Sequence, residues 1–272
     1  MIEMKDQEFI QLVDYMKQHF GINLIQKRGL MEGRLSLRIQ EQGFSSYADY
    51  FASVTADATG NEVANLINIL TTNHTFFLRE NQHFEFLKTV ALPQFTEQIK
   101  DHDLRIWSAG CSSGEEAYTA QMIIDNHFGL SKNEWDTTIL ATDISSKVLE
   151  IGRKGIYSAT ALQSIPSAWI KKYFTALPDE QYQIKEEIRK QVVFRSLNLM
   201  NKSFPFKKKF HIIFCRNVMI YFDGPTKKAL IQRFYDMTEP GGYLFIGHAE
   251  SIAREDSQYS YIQPAIFQKP RK

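Results

Sequence analysis

The stretch Trp107-Ser108-Ala109-Gly110-Cys111-Ser112-Ser113-Gly114-Glu115-Glu116 is the first place where residue types and spacing could do chemistry. Small side chains let a backbone approach a ligand closely, and a helix starting near Glu115 would offer unsatisfied N–H groups. The spacing is Gly-x-x-x-Gly, not the dinucleotide Gly-x-Gly-x-x-Gly. No Gly-Lys-Ser/Thr follows, so it is not a P-loop. Glu115 and Glu116 would repel a pyrophosphate, so a cationic or hydroxyl-rich ligand suits the turn better. An ordinary turn whose acids complement the helix dipole would carry the same residues. Asp143 ends a strand-like run from Thr138, where an acid can accept from both ribose hydroxyls of an adenosine. Such an acid can equally cap a helix. Together, the turn and Asp143 favour a nucleoside-containing ligand.

Other chemistries are less well supplied. Cys215 reads as a buried strand cysteine, because His211 lies on the same strand and offers no relay. The seven histidines show no His-x-x-x-His or Cys-x-x-Cys spacing, so no metal is expected. No Gly-x-Ser-x-Gly elbow occurs. Lys27, Arg34 and Arg38 fall at i, i+7 and i+11 of one helix, a stripe about 40° wide at 100° per residue. Arg28 flanks them, and Glu32 is the sole acid between Lys27 and Arg38. The stripe is either a solvated helix face or a dock for an acidic helix. Lys202 and Lys207–Lys209 read as a solvated loop.

The elements that must hold these residues divide into two grammars. Phe9, Leu12, Val13, Met16 and Phe20 recur at helical period, and Gly21 ends that helix. Further helices are expected from about Lys27 to Gln42, over Tyr47–Phe51, and around Val63–Leu70 with Asn61 as N-cap. After Asp101, strands at Leu104–Ser108, Thr138–Ala141, Val192–Leu197, His211–Cys215, Tyr243–Gly247 and Ala265–Gln268 alternate with helices. The helices include Glu115–Phe128 and one from Pro225. That alternation implies a mostly parallel sheet covered on both faces. Ile156–Gln191 interrupts it, with a helix at Trp169–Phe174 and, around Tyr182–Arg189, an exposed β-hairpin or small antiparallel insertion. The expected fold class is α/β. It has a helical N-terminal domain (1–72), a connecting segment (73–100), and a domain over 101–272 with an insertion at about 156–191.

The 272 residues carry a net charge of +1, which excludes a generally basic nucleic-acid binder. Cys111 and Cys215 are the two cysteines, too few for a disulfide framework, so a reducing, cytoplasmic setting is expected. Met1–Phe20 mixes charges among its apolar residues and does not read as a signal peptide. No apolar run approaches the ~18 residues of a membrane helix.

Five segments in order resemble the chemotaxis protein methyltransferase family (CheR). They are Asn73-His74-Thr75-Phe76-Phe77-Leu78-Arg79-Glu80 with His83-Phe84; Ala109 to Glu116; Ala141-Thr142-Asp143-Ile144; Ile213 to Phe222; and Gly241 to Glu250. The resemblance covers nearly the whole chain. It implies a Rossmann-like methyltransferase domain with an inserted β-subdomain, which would transfer methyl groups from S-adenosylmethionine to glutamates of chemoreceptor cytoplasmic helices. The products would be glutamate methyl esters and S-adenosylhomocysteine. Cofactor contacts carry over to Asn73, Thr75, Arg79, Gly110, one of Glu115 and Glu116 (preferably Glu116), Asp143, Asn198, Leu199, Arg216 and Asn217. Leu78 stands where the family usually has phenylalanine. Some members bind a receptor pentapeptide through a glycine-containing loop, and Thr175–Gln191 has no glycine, which argues against that tether.

A glutamate carboxylate is ionised at neutral pH and needs no general base, so catalysis would rest on positioning and electrostatics. Arg79 is expected to orient the acceptor carboxylate and Tyr221 to close the same corner. The basic stripe would then dock the receptor helix. Rival readings are a cofactor-binding module without turnover, or methylation of a small molecule; nucleic acid is the weakest acceptor.

Overall fold

The computed structural model describes residues 2–71 and 74–271. Four helices lead: α1 (Asp6–Phe20), α2 (Arg28–Glu41), α3 (Tyr47–Ala56) and α4 (Asn61–Leu70). In α1 the periodic Phe9, Leu12, Val13 and Met16 are buried. Gly21 ends the helix at φ +72°, its N–H bonded to the Lys17 carbonyl, a conformation that favours glycine. Asn61 is not the cap of α4. Gly60 holds that position at φ +71°, and Asp57 Oδ2 accepts from the Glu62 N–H at 2.9 Å. The acid that satisfies the free donor therefore sits five residues upstream of it, beyond the reach of a cap-position rule. The expected domain boundary at Thr72 and Asn73 lies outside the described residues.

A connecting run follows: α5 (Gln82–Phe86), a π-helical turn at Leu87–Ala91, and α6 (Leu92–Gln98). The sheet-forming part then runs β1 (Ile106–Ala109), α7 (Glu115–Phe128), β2 (Ile139–Asp143), α8 (Ser146–Lys154), β3 (Ile156–Ser158), α9 (Ser167–Tyr173), β4 (Phe174–Leu177), β5 (Gln181–Ile184) and α10 (Glu186–Arg189). It ends with β6 (Val192–Ser196), β7 (Phe210–Cys215), α11 (Gly224–Met237), β8 (Thr238–Ile246), β9 (Ser260–Gln263) and β10 (Ile266–Gln268). Seven strands take the order β6-β2-β1-β7-β8-β10-β9. The first five are parallel, and β10 and β9 close the edge antiparallel. The chain builds outward from β1 through β2 to β6, then returns to the other side of β1 with β7. That reversal creates a crevice at the strands' carboxyl ends, where ligands of open α/β sheets bind.

The insertion is a three-stranded antiparallel sheet, β3-β5-β4. The expected hairpin is shorter than Tyr182–Arg189, because Glu186–Arg189 turns into a helix that buries Ile188. Its glycine-free turn places Asp179 and Glu180 both at positive φ. β8 starts five residues earlier than expected, pairing Thr238 with Phe210 across a register irregularity.

One apolar core covers each sheet face. The first joins α1–α4 residues such as Met16, Leu35 and Leu66 to Trp107, Ile213 and Leu244 from the strands. The helical N-terminal part is thus packed onto the sheet through a shared core. The second joins Leu87 and Leu92 to α7, the insertion and the opposite strand face. No helix among the described residues is long and apolar enough to cross a membrane.

Gly152 lets α8 lie flat on β6. A Cβ there would come within 2.5 Å of Phe194 Cε1, and that ring is already wedged against Gly114. Gly152→Ala is expected to lower stability by about 1–3 kcal/mol, the cost of overpacking a filled core. Urea denaturation measures this, and an unchanged midpoint would mean the ring has room to move.

Candidate functional site

A cleft of about 250 Å³ opens at the carboxyl ends of β1, β2, β6 and β7. Each strand delivers part of its lining. Gly110 and Glu116 follow β1, Asp143 ends β2, Asn198 and Leu199 follow β6, and Arg216 and Asn217 follow β7. Thr75, Arg79 and Tyr221 also line the cleft. Asn73 lies outside the described residues. Glu115 is buried but does not line the cleft, and Ser113 Oγ donates to both its carboxylate oxygens at 2.8–2.9 Å. Burial pushes its carboxyl pKa up. Of the two neighbouring acids, Glu116 is the one facing the cleft.

Gly110 sits at φ +83°, and a Cβ there would meet Val218 Cγ2 at 2.4 Å. The turn passes close under the β7 loop, and its N–H bonds to the Thr142 carbonyl at 2.8 Å. Asp143 is held from both sides: Oδ2 accepts from Ser112 N–H at 2.9 Å and Oδ1 from Ser145 N–H at 3.0 Å. Desolvation raises its pKa against these bonds. Each oxygen keeps further lone pairs that can accept from a ligand's hydroxyls. Asn198 is anchored in the same way, donating to the His19 carbonyl at 2.8 Å and accepting from Met200 N–H at 2.9 Å.

Arg216 is 7% exposed and lies between two carboxylates. Its Nη1 donates to Glu116 Oε2 at 3.0 Å and its Nη2 to Glu80 Oε2 at 3.2 Å. Nη2 also donates to the Arg79 carbonyl, and the guanidinium lies over Phe84. Nε is buried without a partner among the described residues. Ser108 Oγ completes the cluster by donating to Glu116 Oε1 at 2.6 Å. Burial pushes the Glu80 pKa up, but Arg216 with bonds from Asn217 and His248 outweighs it, leaving the pKa lowered. Glu80 and Glu250 stood in the sequence motifs with no role assigned. Glu250 organises the β7 loop, accepting from the N–H groups of Asn217 (2.9 Å), Ile220 (3.1 Å) and Gly247 (2.6 Å). Apart from the Gly247 bond, these partners lie 30 or more residues apart, so chain spacing carries little signal for them.

Arg79 donates through Nη1 to the His74 carbonyl and stacks beside Phe76. Its Nε and Nη2 have no hydrogen-bond partner among the described residues. Tyr221 lines the same cleft, and its carbonyl accepts from Asn23 N–H at 2.8 Å.

The N-terminal helices complete the walls. Phe20 and Ile22 come from the end of α1, and Ile67 and Asn68 from α4. Asn68 Nδ2 donates to Ser145 Oγ at 2.8 Å, beside Asp143. Three of the four basic residues of the stripe have partners within the helical part. Arg34 donates to the Ile69 and Thr71 carbonyls at 2.9 and 3.1 Å, and Arg38 pairs with Glu62 at 3.1 Å. Arg28 pairs with Asp6 and Glu32. Lys27 alone of the four is exposed. The neutralising Asp6 and Glu62 come from neighbouring helices, invisible to a helical-wheel argument.

Cys111 and Cys215 are buried, with thiol pKa values pushed well up by burial, so neither is an activated nucleophile. Glu80, His83 and His248 bring ligand-type atoms within 4.8 Å of one another. The Glu80 carboxylate there is committed to Arg216.

Comparisons with known proteins agree with this architecture. Residues 7–71 match a family model described as the CheR methyltransferase all-alpha domain, and residues 73–267 one described as the CheR methyltransferase SAM-binding domain. A chemotaxis protein methyltransferase of Borreliella burgdorferi is 42% identical over 98% of this chain and 96% of its own length. Chemotaxis protein methyltransferase 2 of Vibrio cholerae is 35% identical over 100% and 96%. The chemotaxis protein methyltransferase of Escherichia coli is 32% identical over 98% and 92%.

Burial and the Arg216 charge depress His83 to a pKa of about 3 against the Glu80 carboxylate 3.6 Å from its Nδ1, and neither ring nitrogen has a hydrogen bond among the described residues. An unfolded histidine titrates near ~6.5, so between these values the unfolded chain binds the extra proton. Stability should therefore fall as pH drops below about 6.5, by up to ~1.4 kcal/mol per unit from this group. His83→Phe should flatten the urea-measured stability between about pH 6 and 4.5. An identical slope would assign the acid sensitivity to other groups, such as His211, which is lowered to about 4.

Proposed function

The chain belongs to the CheR methyltransferase family, and on that premise we propose that it transfers methyl groups from S-adenosylmethionine to glutamate side chains on chemoreceptor cytoplasmic helices, for adaptation in bacterial chemotaxis. The products are glutamate methyl esters and S-adenosylhomocysteine. The observation that carries this reading is the polarity of the cleft. Its lining brings together the ordered carboxylate of Asp143, the Glu116–Arg216 pair, and Arg79 with two nitrogens unspent among the described residues.

The residues present fit the cofactor. Gly110 lets the turn that lines the cleft pass close under Val218, Asp143 would accept from ribose hydroxyls, and the orphaned Arg216 Nε has a donor to offer. Glu116 and Asp143 outnumber Arg216 in this part of the lining, which suits a cationic ligand. When bound, S-adenosylmethionine supplies an electrophilic methyl on a sulfonium. An acceptor glutamate arrives already ionised, so no side chain has to remove a proton. Arg79 orients that carboxylate and leaves one oxygen lone pair for attack, while Tyr221 narrows the same corner. Thr75, Asn198, Leu199 and Asn217 complete the cofactor wall, and Asn73 is assigned to it through the family motif. The receptor helix approaches the mouth beside exposed Lys27. Arg34 and Arg38 serve it indirectly by holding α4. The working compartment is the cytoplasm, and no pentapeptide tether is invoked.

Two variants test the two ends of the cleft. Asp143→Ala should weaken S-adenosylhomocysteine binding by ~1–3 kcal/mol by calorimetry, the cost of stranding buried hydrogen-bond partners. Unchanged affinity in a folded protein would remove the adenosine from that end. Arg79→Ala should lower turnover about a hundredfold in methyl transfer from labelled S-adenosylmethionine to a purified receptor fragment, with little change in Tm. Turnover surviving within a few-fold at saturating substrates would make Arg79 structural.

A further inference from the structure

Arg79 hangs on a backbone that its neighbours' residue types do not favour. Leu78 and Glu80 flank it at φ +59° and +54°, a left-handed region that bulky side chains rarely enter. Backbone strain of this kind persists where surrounding bonds over-determine it. Here Ser164 Oγ donates to the Phe77 carbonyl at 2.6 Å, and Leu78 N–H reaches Thr119 Oγ1 at 3.4 Å. Arg216 Nη2 donates to the Arg79 carbonyl itself.

Glu80 supplies the remaining ties. Its Oε2 accepts from Arg216 Nη2 at 3.2 Å and from His248 N–H at 3.3 Å, and its Oε1 accepts from Asn217 Nδ2 at 3.3 Å. One carboxylate thus binds the Arg79 segment to the loops after β7 and β8. Glu80 is absent from the cleft lining, so it does not reach a ligand there. Glu116 holds Arg216 independently, through Nη1 at 3.0 Å. Loss of Glu80 would therefore leave the cofactor end paired and release the Arg79 end.

Resting on the glutamate-methylation reading, we infer that Glu80 is a positioning residue for methyl transfer. It locks the strained backbone on either side of Arg79 and so aims that guanidinium at the acceptor carboxylate. Its contribution reaches the reaction through Arg79.

The test is a double-mutant cycle on the full chain, with a purified chemoreceptor cytoplasmic fragment and labelled S-adenosylmethionine. Glu80→Ala should lower kcat at least about tenfold, the scale of a small misplacement of a reacting group, while S-adenosylhomocysteine affinity stays within about threefold. Glu80→Gln keeps the length and one acceptor oxygen, so it should fall between Glu80→Ala and wild type; it also serves if the alanine variant does not fold. In the Arg79→Ala background either substitution should change kcat less than about twofold, because the path it acts through is gone. Equal effects in both backgrounds, or a wild-type kcat in Glu80→Ala, overturn the inference. Hydrogen exchange decides it separately from the functional reading. In Glu80→Gln the Leu78–Glu80 amides should lose protection while the β1 and β7 amides keep theirs, and unchanged protection at Leu78–Glu80 overturns the role. If wild type does not methylate the receptor fragment, the glutamate reading falls, and the exchange result still decides the clamp.

Discussion

A guanidinium withdrawn from water between two carboxylates is the constraint on which this structure turns. Arg216 can stay buried only because Glu116 and Glu80 compensate its charge and the Arg79 carbonyl takes a further donor. Such a buried cluster adds little net stability, since desolvation offsets the attraction, but losing one partner costs several kcal/mol, on the order of 3–5. It acts chiefly as a specification: three segments must meet at one point. Glu116 comes from the start of α7, Glu80 from the connecting run and Arg216 from the end of β7. Once they meet, the turn after β1 is set against the β7 loop, and the Arg79 segment is drawn across the mouth. Glu250 does the same for the other side of the β7 loop, with three backbone N–H groups on one carboxylate.

The N-terminal helices are the second support. They share a core with one sheet face and supply a wall of the cleft through α1 and α4. Polar contacts fix their placement. Lys17 pairs with Asp223 at 2.9 Å, and Asn68 bonds Ser145 next to Asp143. Arg34 satisfies carbonyls at the C-terminal end of α4, where helices leave four without internal partners. A residue that looks on a helical wheel like a surface charge thus steadies the helix end lining the cleft. Acids from α1 and α4 likewise pair with Arg28 and Arg38.

Much was legible in the chain alone because it depends on near neighbours. The period of Phe9 to Met16 and the glycine after Phe20 define α1. Alternating strands and helices after residue 101 determine a parallel, two-face-covered sheet. Ordered motifs identify the family, and the strand-ending positions of Gly110, Asp143 and Arg216 bring them to one crevice by topology. Tertiary structure decided whatever depends on partners remote in sequence. Glu80 lies 136 residues from Arg216, and Arg34 lies 35 from Ile69. It decided that Glu116 rather than Glu115 faces the cleft, since helix rotation is set by what packs beneath α7. It also decided that Arg28 and Arg38 of the basic stripe meet acids. Sequence establishes which charges exist and roughly which face they share. Their worth depends on how far each is desolvated and on which charge it meets, and both quantities come into being only when the chain is folded.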